Sequence, residues 1–244
     1  MDALEAGAIE CDATINAADP ENFFAAHVLI EALAGSGRTL IHTSGASIVC
    51  DDAGGDWHSD RIFNEDSRLI EMSHRAPHVE IDRMVREAGI RKGMRTSVIC
   101  PALVYGNGSG IGSGSGQIFT LTEKSKKQKA GVYIGKGANV WSNVHISDLV
   151  DLYALVLERA PSASFFFAEN GEASFREIAV VVSDALGFGS RTFAWNADEA
   201  FAELGEFEYI ALSTNARVRA KNARILLGWE PKGPPLRDAL LSDQ

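Results

Sequence analysis

Long apolar runs are absent from this chain of 244 residues: no stretch approaches the roughly 18 consecutive apolar residues that cross a bilayer. The acidic opening Met1-Asp2-Ala3-Leu4-Glu5 is unlike a secretory leader, which needs a basic start and an apolar middle. Together these make the cytoplasm the expected location. Basic residues are outnumbered, with 23 Lys and Arg against 33 Asp and Glu, a net charge of −10 and a pI of about 5.1. Such a field repels phosphate at long range, which argues against nucleic acid and anionic membrane as main partners and leaves a small molecule. Cysteine is scarce: Cys11, Cys50 and Cys100 stand alone, with no CxxC pair. A disulfide framework is therefore not expected, and the three are read as reduced, buried thiols.

What is present is ordinary for a globular protein, 45% hydrophobic and 23% charged, and long enough for one large domain or one plus an appendage. The organising stretch is Thr39 to Cys50, TLIHTSGASIVC. A short apolar strand runs there into a turn carrying the hydroxyls of Thr43, Ser44 and Ser47, the pattern of a buried parallel strand with a ligand-facing carboxyl tip. Before it, residues 2–10 read as a short helix and 12–17 as a strand. Asp19-Pro20 reads as the cap and first position of a helix with Phe24, Val28, Leu29, Ala32 and Leu33 inward and Gly35 as its stop. After it, residues 51–72 read as a polar surface excursion. A helix over 79–88 follows, with Ile81, Met84, Val85 and Ala88 inward and Gly89 as its stop, then a strand over 95–100 halted by Pro101. This alternation predicts an α/β architecture with a parallel sheet flanked by helices.

The glycine run 106–116, GNGSGIGSGSG, holds no GxGxxG register and no Walker lysine, so it predicts a pliant insertion rather than a phosphate loop. Lys124, Lys126, Lys127 and Lys129 read as a solvated helix face. Further on come a strand near 132–134 and WSNVHIS at 141–147, which leads into a helix burying Leu149, Leu152, Tyr153 and Val156. An aromatic strand at 164–168 precedes a capping box, Ser174-Phe-Arg-Glu177, on a helix that ends at Gly187. Asn196 with Glu199 starts another helix, and Gly228 closes one over 222–227. Trp229 and Phe165 to Phe167 are assigned to the core.

Six segments, in order, are DATINAAD at 12–19, TLIHTSGAS at 39–47, ICPALVYGNG at 99–108, NVHISDLVDLY at 143–153, FFFAENGEASFREIA at 165–179 and LLGWEPK at 226–232. Together they resemble the extended short-chain dehydrogenase/reductase family of NAD(P)-dependent epimerases, dehydratases and reductases. The resemblance implies a partial Rossmann-like sheet over 1–108, with strands around 132–153 and 164–168 returning to the sheet region. It also implies a smaller C-terminal α+β substrate subdomain over 109–244. NAD or NADP is the implied cofactor, beside Ala17 and Pro101. The implied substrate is a nucleotide sugar or a similar carbonyl or hydroxyl compound, held by Tyr105, Trp141, Asn143 and His145.

Two departures shape the expected chemistry. The family's glycine-rich strand-to-helix turn is not found, and the chain is read as starting just before the family's fourth strand. That makes residues 12–17 a sheet edge, either paired with a second chain in a homodimer or covered by residues 2–10. The family's Tyr-x-x-x-Lys pair falls on His74 and His78, and its third hydroxyl position on Gly45, between Ser44 and Ser47. Imidazoles at i, i+4 share a helix face and titrate near neutrality, which makes Ser44, Ser47, His74 and His78 the candidate catalytic set. The bland alternative places both histidines in an exposed loop and helix start around Pro77, with the serine hydroxyls serving their own turn. No third ligand accompanies the histidines, so no metal site is expected. Three functions follow: an NAD(P)-dependent oxidoreductase or epimerase/dehydratase, a cofactor-independent isomerase, cyclase or lyase in the same cleft, or a non-catalytic binding or scaffolding protein.

Overall fold

The computed structural model describes residues 3–68, 75–107 and 116–242. At its centre four parallel strands lie side by side in the order β1 (Ala13–Asn16), β2 (Thr39–Thr43), β3 (Arg95–Pro101) and β7 (Ser164–Ala168). Successive side chains of a strand point to opposite faces, and the core divides accordingly. Leu40 and Val98 pack with Leu29, Ile30 and Leu33 of α2 (Phe23–Leu33) and Ile81 and Val85 of α3 (Ala76–Arg91). Ile41 and Ile99 pack on the opposite face with Leu149, Leu152 and Val156 of α5 (Ile146–Arg159). Both faces are thus covered, which is why the central strands read as apolar runs.

Strand β1 is a sheet edge, as expected, and helix α1 (Ala3–Glu10) packs on α2 instead of along that edge. Helix α2 begins at Phe23, not Pro20: Asn22 supplies the cap by accepting from the Ala25 amide at 2.9 Å, while Asp19 bonds the Glu21 amide in the loop before it. The shift turns Phe24 out to solvent, 79% exposed. Helix α3 runs straight through Gly89, whose Cβ, if present, would lie 2.3 Å from Thr96 Oγ1. That glycine permits close packing and is not a stop. Residues 51–68 are anchored: Phe63 is buried and bridges to Val218, and Glu65 accepts from the Phe167 and Lys221 amides. Residues 69–74 and 108–115, which include His74 and most of the glycine run, lie outside the described residues.

Of the later strands among the described residues, only β7 joins the main sheet. Strands β4 (Leu103–Tyr105), β6 (Val140–His145) and β8 (Glu172–Ser174) form a second sheet, and β5 (Gly131–Ile134) pairs with β9 (Thr192–Trp195). At Gly131 a Cβ would lie 1.8 Å from Ala179 O, so the glycine lets β5 lie close against α6 (Phe175–Ala185). Helix α6 carries the expected capping box on Ser174 and Glu177, and Asn196 caps α7 (Ala197–Ser213). Gly228 takes the left-handed conformation that closes α8 (Lys221–Leu227), and α9 (Leu236–Ser242) ends the described chain. Lys124 departs from the solvated-face reading: it pairs with Glu203, and its ammonium lies 3.8 Å from the centre of the Trp195 ring. Cys11 is exposed, whereas Cys50 and Cys100 are buried.

Candidate active site

The site grows from the carboxyl tip of β2. Ser44 continues the strand's pairing by donating its amide to Ile99 O at 2.8 Å, and the chain then tightens into a 3-10 turn, Ala46–Val49. On α3, His78 and Asp82 are four residues apart and therefore share the inward face. Ser44 joins them, donating to Asp82 Oδ2 at 2.7 Å while its oxygen sits 3.1 Å from His78 Nε2. All three are nearly sealed, at 4%, 1% and 4% exposure for Ser44, His78 and Asp82. The exposed-loop reading of His78 is thereby corrected: Pro77 sits in the helix's first turn, where no amide partner is needed, so His78 is carried inward.

A second ring of polar groups surrounds this trio. His42 of β2 is 3.1 Å from the Asn16 amide, and its Nε2 faces Asp82 Oδ1 at 3.8 Å. Glu21, in the loop after β1, receives a bond from Arg75 at 3.2 Å and lies 3.9 Å from His78 Nδ1. Arg75 is buried, with Nε and Nη2 unpaired and its guanidinium over the Phe207 ring at 5.8 Å. Thr43 and the Tyr153 hydroxyl share a bond of 2.5 Å.

Burial orders the proton affinities. It pushes the Asp82 carboxyl up to about 7, a rise that the Ser44 bond and Arg86 only partly oppose. It also pushes His42 down to about 4, and His78 down to about 4 with help from the charges of His42 and Arg75. The usual order of carboxyl and imidazole is inverted: as pH rises both rings lose their protons before Asp82 does, so near neutrality both rings are neutral and Asp82 is the group that exchanges a proton. The Asp82 and His42 contact is accordingly no ion pair, and at 3.8 Å no hydrogen bond. The Cys100 thiol beside Ser44 is pushed well above its ordinary value by burial and is inert as a nucleophile.

Ser44, Gly45, Ser47, Pro101, Trp141 and Phe207 line a cleft of about 430 Å³. Four residues singled out from the sequence, Ser44, Ser47, Pro101 and Trp141, thus meet in one place. The others lie elsewhere. Ala17 is exposed just past β1 and does not line the cleft. Asn143 faces Gly171 and lines a separate groove of about 650 Å³ with Asn170, Glu172 and Arg237. Tyr105 is buried, donates to Pro234 O at 2.8 Å and packs edge-on against His145. His145 caps α5 by accepting from the Ser147 amide. Sequence reasoning passed over Asp82, His42, Asn16, Arg75 and Glu21. One signal was available: Asp82 is a carboxylate on the same helical face as Ile81, Val85 and Ala88, where an unpaired charge would be costly.

The chain is similar to known proteins in sequence and in fold. The sequence profile described as "NAD dependent epimerase/dehydratase family" matches residues 5–165. The chain is 29% identical to "Oxidase ucsJ" of an Acremonium species, over 97% of this chain and 78% of that protein. It is 25% identical to an uncharacterized protein of Schizosaccharomyces pombe, over 100% and 81% respectively. Among solved structures, the NAD complex of dTDP-glucose 4,6-dehydratase from Bacillus anthracis superposes with a TM-score of 0.74 at 15% identity, covering 96% of this chain and 71% of that one. UDP-glucose 4-epimerase of Thermotoga maritima with UDP-glucose gives 0.73 at 16% identity, covering 97% and 79%. At these identities the solved structures establish the Rossmann-type fold, and the order and direction of β1, β2, β3 and β7 accord with it.

Proposed function

The chain belongs to the NAD dependent epimerase/dehydratase family, and from that premise we propose that it is an oxidoreductase or epimerase/dehydratase acting on a small hydroxyl or carbonyl compound. A nucleotide sugar, the ligand class of the superposed epimerase, is the first to try. The observation that carries this reading is that Ser44, bonded to the buried His78 and Asp82, lines a cleft over the tips of β2 and β3, where α/β proteins of this type hold ligands.

Two features suit a nicotinamide dinucleotide. The turn at Ser44 to Ser47 and the Pro101–Ala102 edge leave the strand tips open over the cleft. Arg75, buried nearby, keeps two N–H groups without partners, the donor chemistry that pyrophosphate or ribose oxygens satisfy. Pro101, which lines the cleft, would flank the cofactor, NAD or NADP, with Arg75 behind the Phe207 ring as the nearest buried donor; Ala17 lies outside the cleft. When bound, it would supply hydride acceptance and return. The chain's own residues would handle the proton: Ser44 meets the substrate oxygen, Asp82 refills Ser44, and Trp141 and Phe207 keep water from the reacting atoms.

One observation favours a second reading. His78, at the family's lysine position, is tied to Ser44 and 1% exposed, so it does not offer the exposed cation that would hold a ribose. A cofactor-independent isomerase or lyase would need only the Ser44 and Asp82 pair. Thermal unfolding with NAD and NADP separates the two. At 100 times its dissociation constant a ligand stabilises by about 2.7 kcal/mol, or roughly 5 to 10 °C for a chain of this length. A shift followed by hydride transfer to nucleotide sugars supports the first reading. No shift with either dinucleotide overturns it and sends the screen to substrates without cofactor.

A further inference from the structure

Asp82 also borders a second cavity. This crevice of about 330 Å³ is lined by Glu65, Ser67, Val79, Arg83, Arg86 and Phe165 as well as Asp82, and shares no lining residue with the Ser44 cleft. One side chain thus connects two separate spaces. Its Oδ2 bonds Ser44, a wall residue of the cleft, while its Oδ1 is buried with no partner. The groups around it are His42 from β2, Ser44 just past that strand's tip, Cys100 from β3, Arg86 from its own helix and Glu65 on the crevice lining. His42 Nε2 is likewise unpaired, but at 3.8 Å it is too far to take the proton directly.

We propose that Asp82 is the midpoint of a proton path through the protein, so that a proton exchanged with substrate at Ser44 passes to Asp82 and meets water in the crevice of Glu65, Ser67 and Arg86, not in the cleft. This deepens the preceding reading and rests on it for Ser44 as the group that meets substrate. The step balances without oxidant or reductant. Ser44 first turns its O–H from Asp82 Oδ2 to the substrate oxygen, so that the protonated carboxyl points its own O–H at Ser44 Oγ; as the substrate takes the Ser44 proton, that carboxylic O–H breaks and the Ser44 O–H re-forms. The carboxylate left behind then takes a proton from water in the crevice. Asp82 acts through Ser44 and is a positioning residue. The arrangement lets a closed cleft exclude water from the reaction while the proton balance is kept from the other side.

The path is tested on the full chain by infrared spectroscopy of the protonated Asp82 carbonyl, a band identified by its loss in Asp82→Asn. If that variant does not fold, ¹³C labelling of aspartate identifies the band instead. After mixing with D₂O, exchange of this carboxyl should slow by at least about tenfold in Val79→Phe, which fills the crevice, with Ser67→Trp as a second plug. It should stay unchanged in Ala211→Trp or Thr120→Trp, which fill the cleft. Slowing by the cleft plugs, or equal response to both, overturns the proposal. Failure of the functional reading would look different: no binding of NAD, NADP or substrate, with the exchange pattern intact.

Discussion

The buried carboxyl at position 82 makes a prediction about stability that can be worked through. Burial raises Asp82 from 3.8 to about 7, which disfavours its ionised form in the folded chain by roughly 4 kcal/mol, at about 1.4 kcal/mol per pH unit. The folded state therefore holds this proton more tightly than the unfolded state does. Between the two values the folded state binds more protons, so stability falls as pH rises through that window and levels off above about 7. Asp82→Asn keeps the shape and an acceptor for Ser44 but cannot ionise. Relative to wild type it should gain nothing near pH 4 and up to about 4 kcal/mol above pH 7, a rise in midpoint of roughly 8 to 15 °C. The assay is thermal unfolding of both proteins in parallel from about pH 4 to pH 8.5. The two histidines titrate in both proteins and largely cancel in the difference. Curves that stay parallel across the range would refute the reasoning, because they would mean that Asp82 ionises in the fold as freely as in water.

Other predictions follow from neighbouring features. Ser44→Ala leaves Asp82 Oδ2 and His78 Nε2 without their bonds; it should lower stability by about 2 kcal/mol and lower turnover by roughly 100-fold or more, both read on one preparation by melting and initial rate. His42 and His78, held neutral down to about 4, contribute with the opposite sign to Asp82: the unfolded chain takes up their protons first, so their share of stability falls as pH drops from about 6.5 to 4, by up to about 3 kcal/mol per ring, and shows undiluted in the midpoints of Asp82→Asn, where the carboxyl no longer offsets it. His78→Gln should flatten part of that fall. Gly55→Ala puts a Cβ 2.1 Å from Ile134 O at a φ of +85° and should cost more than about 2 kcal/mol, seen as a lowered denaturant midpoint. Ser174→Ala removes the capping box of α6 and should cost about 1 kcal/mol, seen the same way.

Much of the fold was legible because local rules and tertiary packing agree. The strands around Leu40, Val98 and Phe166, the Ser174 and Asn196 caps and the Gly228 stop are fixed by burial pattern, side-chain hydrogen bonding and backbone freedom, all of which act over a few residues. Local rules misled where a distant partner intervened. Pro20 looked like a helix start until Asn22 took the cap, and Gly89 looked like a stop until close packing against Thr96 and Ser162 required it inside α3.

The site divides along the same line. The sequence by itself determined that hydroxyls would stand at the tip of β2 and that Pro101 would end the next strand. The tertiary structure alone decided which polar groups meet. Asn16, His42, Ser44 and Asp82 come from segments up to 66 residues apart in the chain, and no spacing rule reaches that far. Folding also removed them from water, and that desolvation, which no residue carries in its own chemistry, lifts the carboxyl's hold on a proton above that of both imidazoles.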